Sequence, residues 1–328
     1  MRRIEVVGLM LVAAMVVPLA QVNAQQPAKP VVGYLSFAAA QSLPAQLGGF
    51  RAGLAAEGFV EGQNVTVEYR SADSKNAVLP GLAAEFVQRR VDVLAALGPP
   101  AALAAKQATQ TIPIVFASGV DPVQIGLVSS FNKPGGNITG VYFLSSELVA
   151  KRLALLHELV PRARRIAVLV NPSNAEEAAM NTRSVTSAAR ALGLEIEIFN
   201  ASTGAEIESA FAALVGWRAD ALFVGAGPFF SGQRTVLAGL AARHALPASY
   251  SVREVPEVGG LMSYGSNVAI SYRQAGAYVG RILKGAKPGD LPVVQPTHYH
   301  FVINLKTAKT LGIEVPPMLL ARVDEVIE

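Results

Sequence analysis

The stretch VDVLAALGPPAALAAKQATQTIPIVFASGVDP, residues 91–122, decides the fold class. Two short apolar runs, 91–97 and 112–117, are predicted as strands, and Gly98 with Pro99 opens an alanine-rich helical segment between them. Near-continuous apolar strands separated by a helix are typical of a parallel sheet that is covered on both faces. The stretch therefore predicts one strand–helix–strand unit of an α/β protein.

The same alternation of strand and helix repeats along the chain in two series. Because 328 residues exceed the usual size of a single core, we predict two α/β lobes with a boundary near 143–147. The predicted strands are 31–36, 64–71, 91–97, 112–117 and 137–143 in the first series, then 165–172, 194–200, 219–228 and 246–250 in the second. The predicted helices are 43–57, 79–90, 148–159, 175–192, 205–216 and one ending near His244, and a less regular tail holds 259–267, helix 270–284, strand 298–304 and helix 305–311.

Composition favours a compact protein and excludes several kinds of function. Hydrophobic residues make up 51% and charged residues 16% of the chain, and the net charge is +4. Lysines and arginines are scattered, with one dense basic run at 161–165, so nucleic acid is not indicated as a partner. With no cysteine, the chain has no disulfide framework, no thiol nucleophile and no cysteine for lipid attachment.

The first 24 residues have the pattern of a secretory signal peptide. Arg2 and Arg3 precede an apolar run at 6–20, and small residues stand before the expected cleavage site after Ala24. The apolar run has 15 residues and includes Pro18, whereas a membrane-spanning helix needs about 20. We therefore expect the protein to be exported to the periplasm.

The common catalytic and cofactor motifs fail on inspection. The segment beginning at His157 has Pro161 where the second zinc ligand of a metalloprotease helix belongs. The stretch 224–230 has Phe230 in place of the third glycine of a dinucleotide loop, and Pro228 suits the first turn of a helix instead. His298 and His300 share a strand face but have no acidic third ligand near them in sequence. We predict no cofactor and no metal.

The ends of the predicted strands are candidates for binding. Gly98 and Pro99 start a helix whose backbone N–H groups could hold a carboxylate, although glycine and proline also mark ordinary tight turns. Asp121 can cap a helix starting at Pro122 or Val123, or it can bind a ligand ammonium group. Aromatic residues at strand ends would favour a ligand with an apolar body. They are Tyr34, Phe37, Tyr142, Phe229, Phe230, Tyr250 and Tyr264.

Five segments resemble the ABC-transporter substrate-binding proteins of the family that includes tryptophan- and tyrosine-uptake proteins. They are GFVEGQNVTVEYRSA (58–72), IPIVFASGVDPVQIGLV (112–128), KPGGNITGV (133–141), GGLMSYG (259–265) and the carboxyl-terminal stretch from 291. The resemblance covers residues 30–328. It implies a type I periplasmic-binding-protein fold, in which two Rossmann-like lobes with parallel sheets are joined by a three-strand hinge. The lobes would be 30–144 plus about 266–297, and 145–265 plus about 298–328.

The resemblance also implies a set of ligand-binding positions in a cleft between the lobes. In related proteins an acidic residue often precedes the proline that here is Pro228, whereas this chain has Gly227, which could mean a different ligand. The implied first-lobe positions are Ser36, Phe37, Leu97, Gly98, Ser118 and Asp121, and the second-lobe positions are Asn171, Pro228, Phe229, Tyr250 and Tyr264.

Three functions are compatible with this pattern. The leading one is a monomeric periplasmic receptor that binds a small molecule, such as an aromatic or branched amino acid, and delivers it to a membrane permease. In this receptor, Asp121 would bind the ammonium group of the ligand, and backbone N–H groups near Gly98 would bind its carboxylate. The second is a secreted α/β enzyme with Asp121 as general base, which lacks an evident catalytic partner. The third is a sensor subunit that presents its closed form to a signalling receptor.

Overall fold

A computed structural model describes residues 29–38, 44–143, 145–295 and 299–328. In the described part of the chain, strands and helices alternate and build two separate, mainly parallel sheets. The predicted α/β class with two lobes is thereby confirmed. The predicted signal peptide lies outside the described residues.

The first sheet contains the strands of the first series and is parallel throughout. Strand β3 has all its residues buried, and so does β4, because helices cover both faces. The order in the sheet is β2-β1-β3-β4-β5. The strands are β1 Val31–Ser36, β2 Thr66–Ser71, β3 Val93–Leu97, β4 Ile114–Ser118 and β5 Ile138–Tyr142. The helices of this part of the chain are α1 Pro44–Ala56, α2 Leu79–Gln88 and α3 Pro99–Ala108.

The second sheet is built by the second series together with the carboxyl-terminal elements. Its order is β12-β11-β10-β9-β8-β6-β7, and the β10–β11 pair is antiparallel whereas the other pairs are parallel. The strands are β6 Arg165–Val170, β7 Glu195–Asn200, β8 Ala221–Val224, β9 Ala248–Tyr250, β10 Met262–Ser266, β11 Tyr299–Asn304 and β12 Glu325–Ile327. The helices are α4 Ser145–Leu159, α5 Ala175–Leu192, α6 Gly204–Gly216, α7 Pro228–Gly232, α8 Arg234–Arg243, α9 Glu254–Glu257, α11 Leu305–Thr310 and α12 Pro317–Leu320.

Helix α10, Val268–Leu283, follows a strand of the second sheet but packs against α1 beside the first sheet. The two helices approach closely because glycines face the contact. A Cβ atom at Gly53 would overlap the carbonyl of Arg273, and one at Gly276 would overlap the carbonyl of Phe50. This packing fixes the amino-terminal ends of both helices next to the second sheet.

The described chain passes between the two sheets at three places: after β5, between β10 and α10, and between Val294 and β11. Val294 pairs with Val141 at the edge of the first sheet, whereas Tyr299 pairs with Ser266 in the second. The hydroxyl of Ser266 also donates a hydrogen bond to the carbonyl of Phe143. The connections therefore lie side by side, as in a hinge of several strands.

Two details of the predicted elements are wrong. The expected helix at Pro122 is a series of hydrogen-bonded turns, which ends at Gly126 because its φ of +71° leaves the helical region. The strand predicted at 219–228 stops at Val224, and Pro228 begins a helix instead, as its fixed φ favours. Three short elements, α9, α12 and β12, were not predicted from the sequence. None of the helices in the described ranges is long and apolar enough to cross a membrane.

Candidate functional site

A cavity lies where α1 and α10 meet the carboxyl ends of the strands of the second sheet. Its volume is about 40 Å³, the space of a few water molecules. The described residues that line it come from the first-lobe helices, the hinge, α4, α5 and the strand ends. They are Gln46, Phe143, Leu148, Arg152, Glu177, Ala226, Gly227, Pro228, Ser231, Ser251, Val252, Tyr264, Gly265, Ser266, Val268 and Tyr272.

Arg152 brings a buried positive charge to this cavity. It lies on the inner face of α4 between Val149 and Leu156, at the three- and four-residue spacing of a buried helical stripe. Its side chain is 2% exposed, and the guanidinium stacks over the ring of Phe223 with 4.0 Å between the Cζ atom and the ring centre. Its Nη2 donates a 2.6 Å hydrogen bond to the carbonyl of Val224.

The guanidinium of Arg152 has spare capacity for an anion. Its Nε has no hydrogen-bond partner, and no carboxylate forms an ion pair with it among the described residues. Burial lowers the pKa of Arg152 to about 9, so the group still carries its charge at neutral pH. A buried arginine without a carboxylate partner is costly and is well suited to bind a carboxylate.

Glu177 brings a buried carboxyl group to the same cavity. It lies on the inner face of α5, four residues before Asn181, and is 3% exposed. Asn174, at the amino-terminal end of this helix, donates a hydrogen bond from Nδ2 to Oε2 of Glu177. Burial raises the pKa of Glu177 to about 8, and the neighbouring charge of Glu176 adds to this effect.

The backbone after β8 leaves room for the Glu177 side chain. A Cβ atom at Gly227 would lie 2.9 Å from Oε2 of Glu177, and Gly227 has a φ of +150°. Asn181 fixes this approach, since its amide accepts a hydrogen bond from the N–H of Ala226 at 3.3 Å and donates to the carbonyl of Glu177 at 2.8 Å. The strand end and helix α5 are thus held together around the carboxyl group.

Three aromatic side chains contribute to the remaining walls. Tyr272 on α10 contributes from the first lobe, and Phe143 contributes from the hinge. Tyr264 is half-buried and belongs to an aromatic cluster, with its ring centre 6.4 Å from that of Tyr299 and 6.1 Å from that of Phe301. Burial raises the pKa of both Tyr264 and Tyr272, so their hydroxyls stay protonated at neutral pH. The walls therefore present apolar faces and hydroxyl groups to a guest.

Of the eleven positions named from the sequence, the structure places Pro228 and Tyr264 in the lining of this cavity. Four of the others have side chains packed into the hydrophobic cores beside the sheets, where they stabilise the lobes. These are Phe37, Leu97, Phe229 and Tyr250.

Four further residues of the set have polar side chains that form local hydrogen bonds. Ser36 donates to the carbonyl of Ala38, and Ser118 donates to the carbonyl of Val120. Asn171 accepts hydrogen bonds from the N–H of Ser173 and the hydroxyl of Ser202. Asp121 accepts from the N–H groups of Val123 and Gln124 at 2.8 and 3.2 Å, so its carboxylate caps a turn.

The helix start at Gly98 has fewer donors than the sequence suggests. The N–H of Gly98 donates to the carbonyl of Ala117 at 2.9 Å, and Pro99 and Pro100 have no N–H. These three positions therefore offer no donor to a carboxylate. The carboxylate site at this turn stays a prediction, and a backbone donor for it would have to come from beyond Pro100.

Sequence reasoning missed Gln46, Arg152, Glu177 and Tyr272, because it looked for binding groups at strand ends. All four lie on helices, at positions where the apolar period calls for a buried residue. A polar side chain on the buried stripe of a helix is the signal that would have identified them.

Among the described residues, no three histidine, cysteine, aspartate or glutamate side chains lie close enough together to hold a metal ion. His298, which the sequence analysis considered together with His300, lies outside the described residues.

The two lobes touch each other across the cleft. Asn76 of the first lobe donates a hydrogen bond from Nδ2 to the carbonyl of Ser173 in the second, and α3 packs against α5. The lobes are therefore in contact at the side of the cavity as well as at the hinge.

Two α/β lobes joined by three crossings around a cavity define the type I periplasmic-binding-protein class. The sequence profile of the family described as ABC transporter substrate binding protein matches residues 32–327, and the chain belongs to this family. It is a substrate-binding protein of the ABC-transporter type. A protein named tyrosine-binding protein from Clostridioides difficile (strain R20291) is 29% identical over 266 residues, which are 81% of this chain and 76% of that protein.

Two solved structures with the same sequence identity to this chain differ in how closely they resemble it. The ABC domain in complex with L-Trp from Streptococcus pneumonia has a TM-score of 0.81, with 26% identity over 91% of this chain and 100% of that one. The ligand-free, open structure of a substrate binding protein with adhesive properties from Clostridium difficile has a TM-score of 0.62. Its identity is 26%, and the match covers 91% of this chain and 99% of that one. At equal identity, the lobes of this chain resemble the ligand-bound arrangement more closely.

Proposed function

We propose that this chain is the solute receptor of an ABC importer and binds an amino acid with an aromatic or branched side chain. The receptor is a monomer in the periplasm, and it delivers its ligand to a membrane permease without changing it chemically. The family membership supports the receptor role, and the relatives named for tyrosine and L-Trp support the class of ligand.

The observation that carries the proposal is the buried, unpaired guanidinium of Arg152 at the wall of the cavity. A carboxylate entering the cavity would pair with it and satisfy its free Nε. Binding of a carboxylate removes the cost of a buried charge that has no counter-ion among the described residues, so the interaction favours an acidic group over a neutral one. The aromatic side chains of Phe143, Tyr264 and Tyr272 would then contact the apolar part of the ligand.

Hinge motion supplies the entry route. The lining residues come from both lobes, so separation of the lobes opens the cavity to a ligand. The lobes are 30–144 plus about 266–297, and 145–265 plus about 298–328. A ligand that contacts both in the closed form binds that form more tightly, and this difference in affinity drives closure. The closed form is then the one that the permease receives.

Thermal melts of the purified protein against amino acids, nucleosides, sugars and organic acids test the proposal. A ligand at 100 times its Kd adds about 2.7 kcal/mol to the free energy of unfolding, so one amino acid should raise the Tm clearly. Mass spectrometry after long incubation should recover that amino acid unchanged. A released product, or a shift from nucleosides or sugars alone, would overturn the proposal.

A comparison of the variant Arg152→Met with its matched control Lys151→Met tests whether the ligand binds in this cavity. Lys151 is the exposed neighbour on the same helix, so its loss removes one positive charge from α4 without touching the cavity. We expect Arg152→Met to abolish the ligand-induced rise in Tm and Lys151→Met to preserve it. Equal responses of the two variants would place the ligand elsewhere.

A further inference from the structure

We infer that Glu177 binds the ammonium group of the ligand, and that together with Arg152 it makes the cavity specific for molecules that carry both an amine and a carboxylate. The inference rests on the proposed function, because it concerns the same cavity. It replaces Asp121, the residue that the sequence suggested for the ammonium group.

Glu177 is buried at the cavity wall and is available to a cation. Its side chain is 3% exposed, lines the cavity and has no ion-pair partner within the described ranges. The one side-chain hydrogen bond described for its carboxyl group comes from Asn174 to Oε2. A carboxyl group in this setting gains more from a cation than an exposed carboxylate would, because little water competes for it. Asp121, by contrast, already accepts two backbone N–H groups and is not among the lining residues described.

The backbone at Gly227 makes room for the carboxyl group of Glu177. Any side chain there would start 2.9 Å from Oε2 of Glu177, so glycine leaves the space that the carboxyl group occupies. In this chain the acidic group of the cavity comes from helix α5 instead of from the strand end.

Arg152 and Glu177 together offer partners for two opposite charges of a ligand. They line one cavity but form no ion pair with each other, so the guanidinium can pair with a carboxylate and the carboxyl group with an ammonium group, whose positive charge favours the ionised form of Glu177. A zwitterion satisfies both groups at once, whereas an acid without an amine leaves Glu177 unmatched and an amine without a carboxylate leaves Arg152 unmatched. A site with unmatched buried polar groups rejects such analogues.

Calorimetric titration at pH 7.5 tests the assignment with three probes that share one side chain. They are L-tyrosine, 3-(4-hydroxyphenyl)propionate, which lacks the amine, and tyramine, which lacks the carboxylate; L-tryptophan and its two analogues form a second set. The proteins are the wild type, Glu177→Gln and the control Glu176→Gln, which removes the charge of the adjacent, less buried glutamate. Thermal melts of each variant without ligand verify folding.

The wild type and Glu176→Gln should bind the amino acid about 100-fold more tightly than either analogue. Glu177→Gln should lose about 100-fold in affinity for the amino acid while binding the amine-free acid at least as well as the wild type does. Preserved discrimination against the amine-free acid in Glu177→Gln would overturn the role of Glu177 and leave the proposed function standing. Equal losses for both probes would assign Glu177 a structural role. If the wild type binds neither L-tyrosine nor L-tryptophan, the inference is overturned. If it binds no amino acid of the whole panel, the proposed function is overturned as well.

Discussion

The carboxyl group of Glu177 occupies the space into which a side chain at position 227 would project. A Cβ atom at Gly227 would come within 2.9 Å of Oε2 of Glu177, and the amide of Asn181 holds the backbone next to it at Ala226. The strand end and helix α5 therefore cannot both present a side chain at this point of the cavity wall.

Gly227→Ala should weaken ligand binding as well as folding. The φ of +150° at this position is rarely adopted by residues with a side chain, which costs about 1–3 kcal/mol, and the new methyl group displaces the carboxyl group of Glu177. We expect the Tm to fall and the affinity for the best-binding amino acid to drop by about 10-fold or more. Chemical unfolding and calorimetric titration measure the two effects.

Gly193→Ala is the control for backbone strain alone. Gly193 ends helix α5 with a φ of +64° and has open space around its Cβ position. This variant should lose stability without losing affinity. An unchanged affinity in Gly227→Ala would contradict the close contact with Glu177.

Glu177→Gln should stabilise the ligand-free protein, and the gain should grow with pH. Burial raises the pKa of Glu177 to about 8 from an ordinary value of 4.5, so between these values the folded protein holds a proton that the unfolded chain has released. Stability that is fully present below pH 4.5 is therefore lost as the pH rises toward 8, by up to about 1.4 kcal/mol per pH unit. Glutamine does not titrate and removes this loss.

Urea unfolding of the ligand-free proteins at pH 5, 6, 7 and 8 measures the effect. The difference in free energy of unfolding between Glu177→Gln and the wild type should widen steadily from pH 5 to pH 8. Among the described residues, Glu176 and Tyr272 interact electrostatically with Glu177, and Arg152 lines the same cavity. Glu176→Gln serves as the control, since it should change stability far less. Parallel pH curves for the wild type and Glu177→Gln would contradict a buried, protonated Glu177.

The sequence predicts the fold well because each lobe is built from local patterns. Apolar runs such as 112–117 and amphipathic stretches such as 175–192 lie within one or two residues of the observed β4 and α5. Strand β12 was missed because its three residues are at most partly buried, and its place depends on the pairing of Val302 with Glu325, which is distant in sequence. Tertiary contacts of this kind leave no local period.

The site was predicted less well, for a reason that lies in its construction. Strand ends identified Pro228 and Tyr264, since ligands of α/β proteins commonly bind there. The charged groups of the cavity are instead on helix faces, where Arg152 and Glu177 replace apolar residues of the buried stripe. That two separate helices direct these groups into one cavity follows from how the lobes pack, which the sequence alone does not reveal.

Asp121→Ala should lower stability and leave ligand affinity unchanged. The substitution removes the acceptor of the N–H groups of Val123 and Gln124, a loss that costs about 0.5–2 kcal/mol at comparable caps. Asp121→Asn keeps an acceptor oxygen and should cost less. If Asp121→Asn instead abolishes ligand binding while the melt without ligand stays unchanged, the ammonium contact suggested by the sequence is the correct assignment.

Asn76→Ala should weaken ligand binding with little effect on the ligand-free protein. The side chain of Asn76 is exposed, and its bond to the carbonyl of Ser173 joins the two lobes in the arrangement that the structure describes. We expect this bond to break when the lobes separate. A hydrogen bond of this kind contributes about 0.5–1.5 kcal/mol, so the affinity should fall by roughly 2- to 10-fold. Lys75→Ala, at the exposed neighbouring position, is the control.

Small-angle scattering should show that Asn76→Ala needs more ligand than Lys75→Ala to reach the compact form, because the lost bond stabilises that form alone. Identical titration curves for the two variants would mean that the contact between the lobes does not contribute to closure.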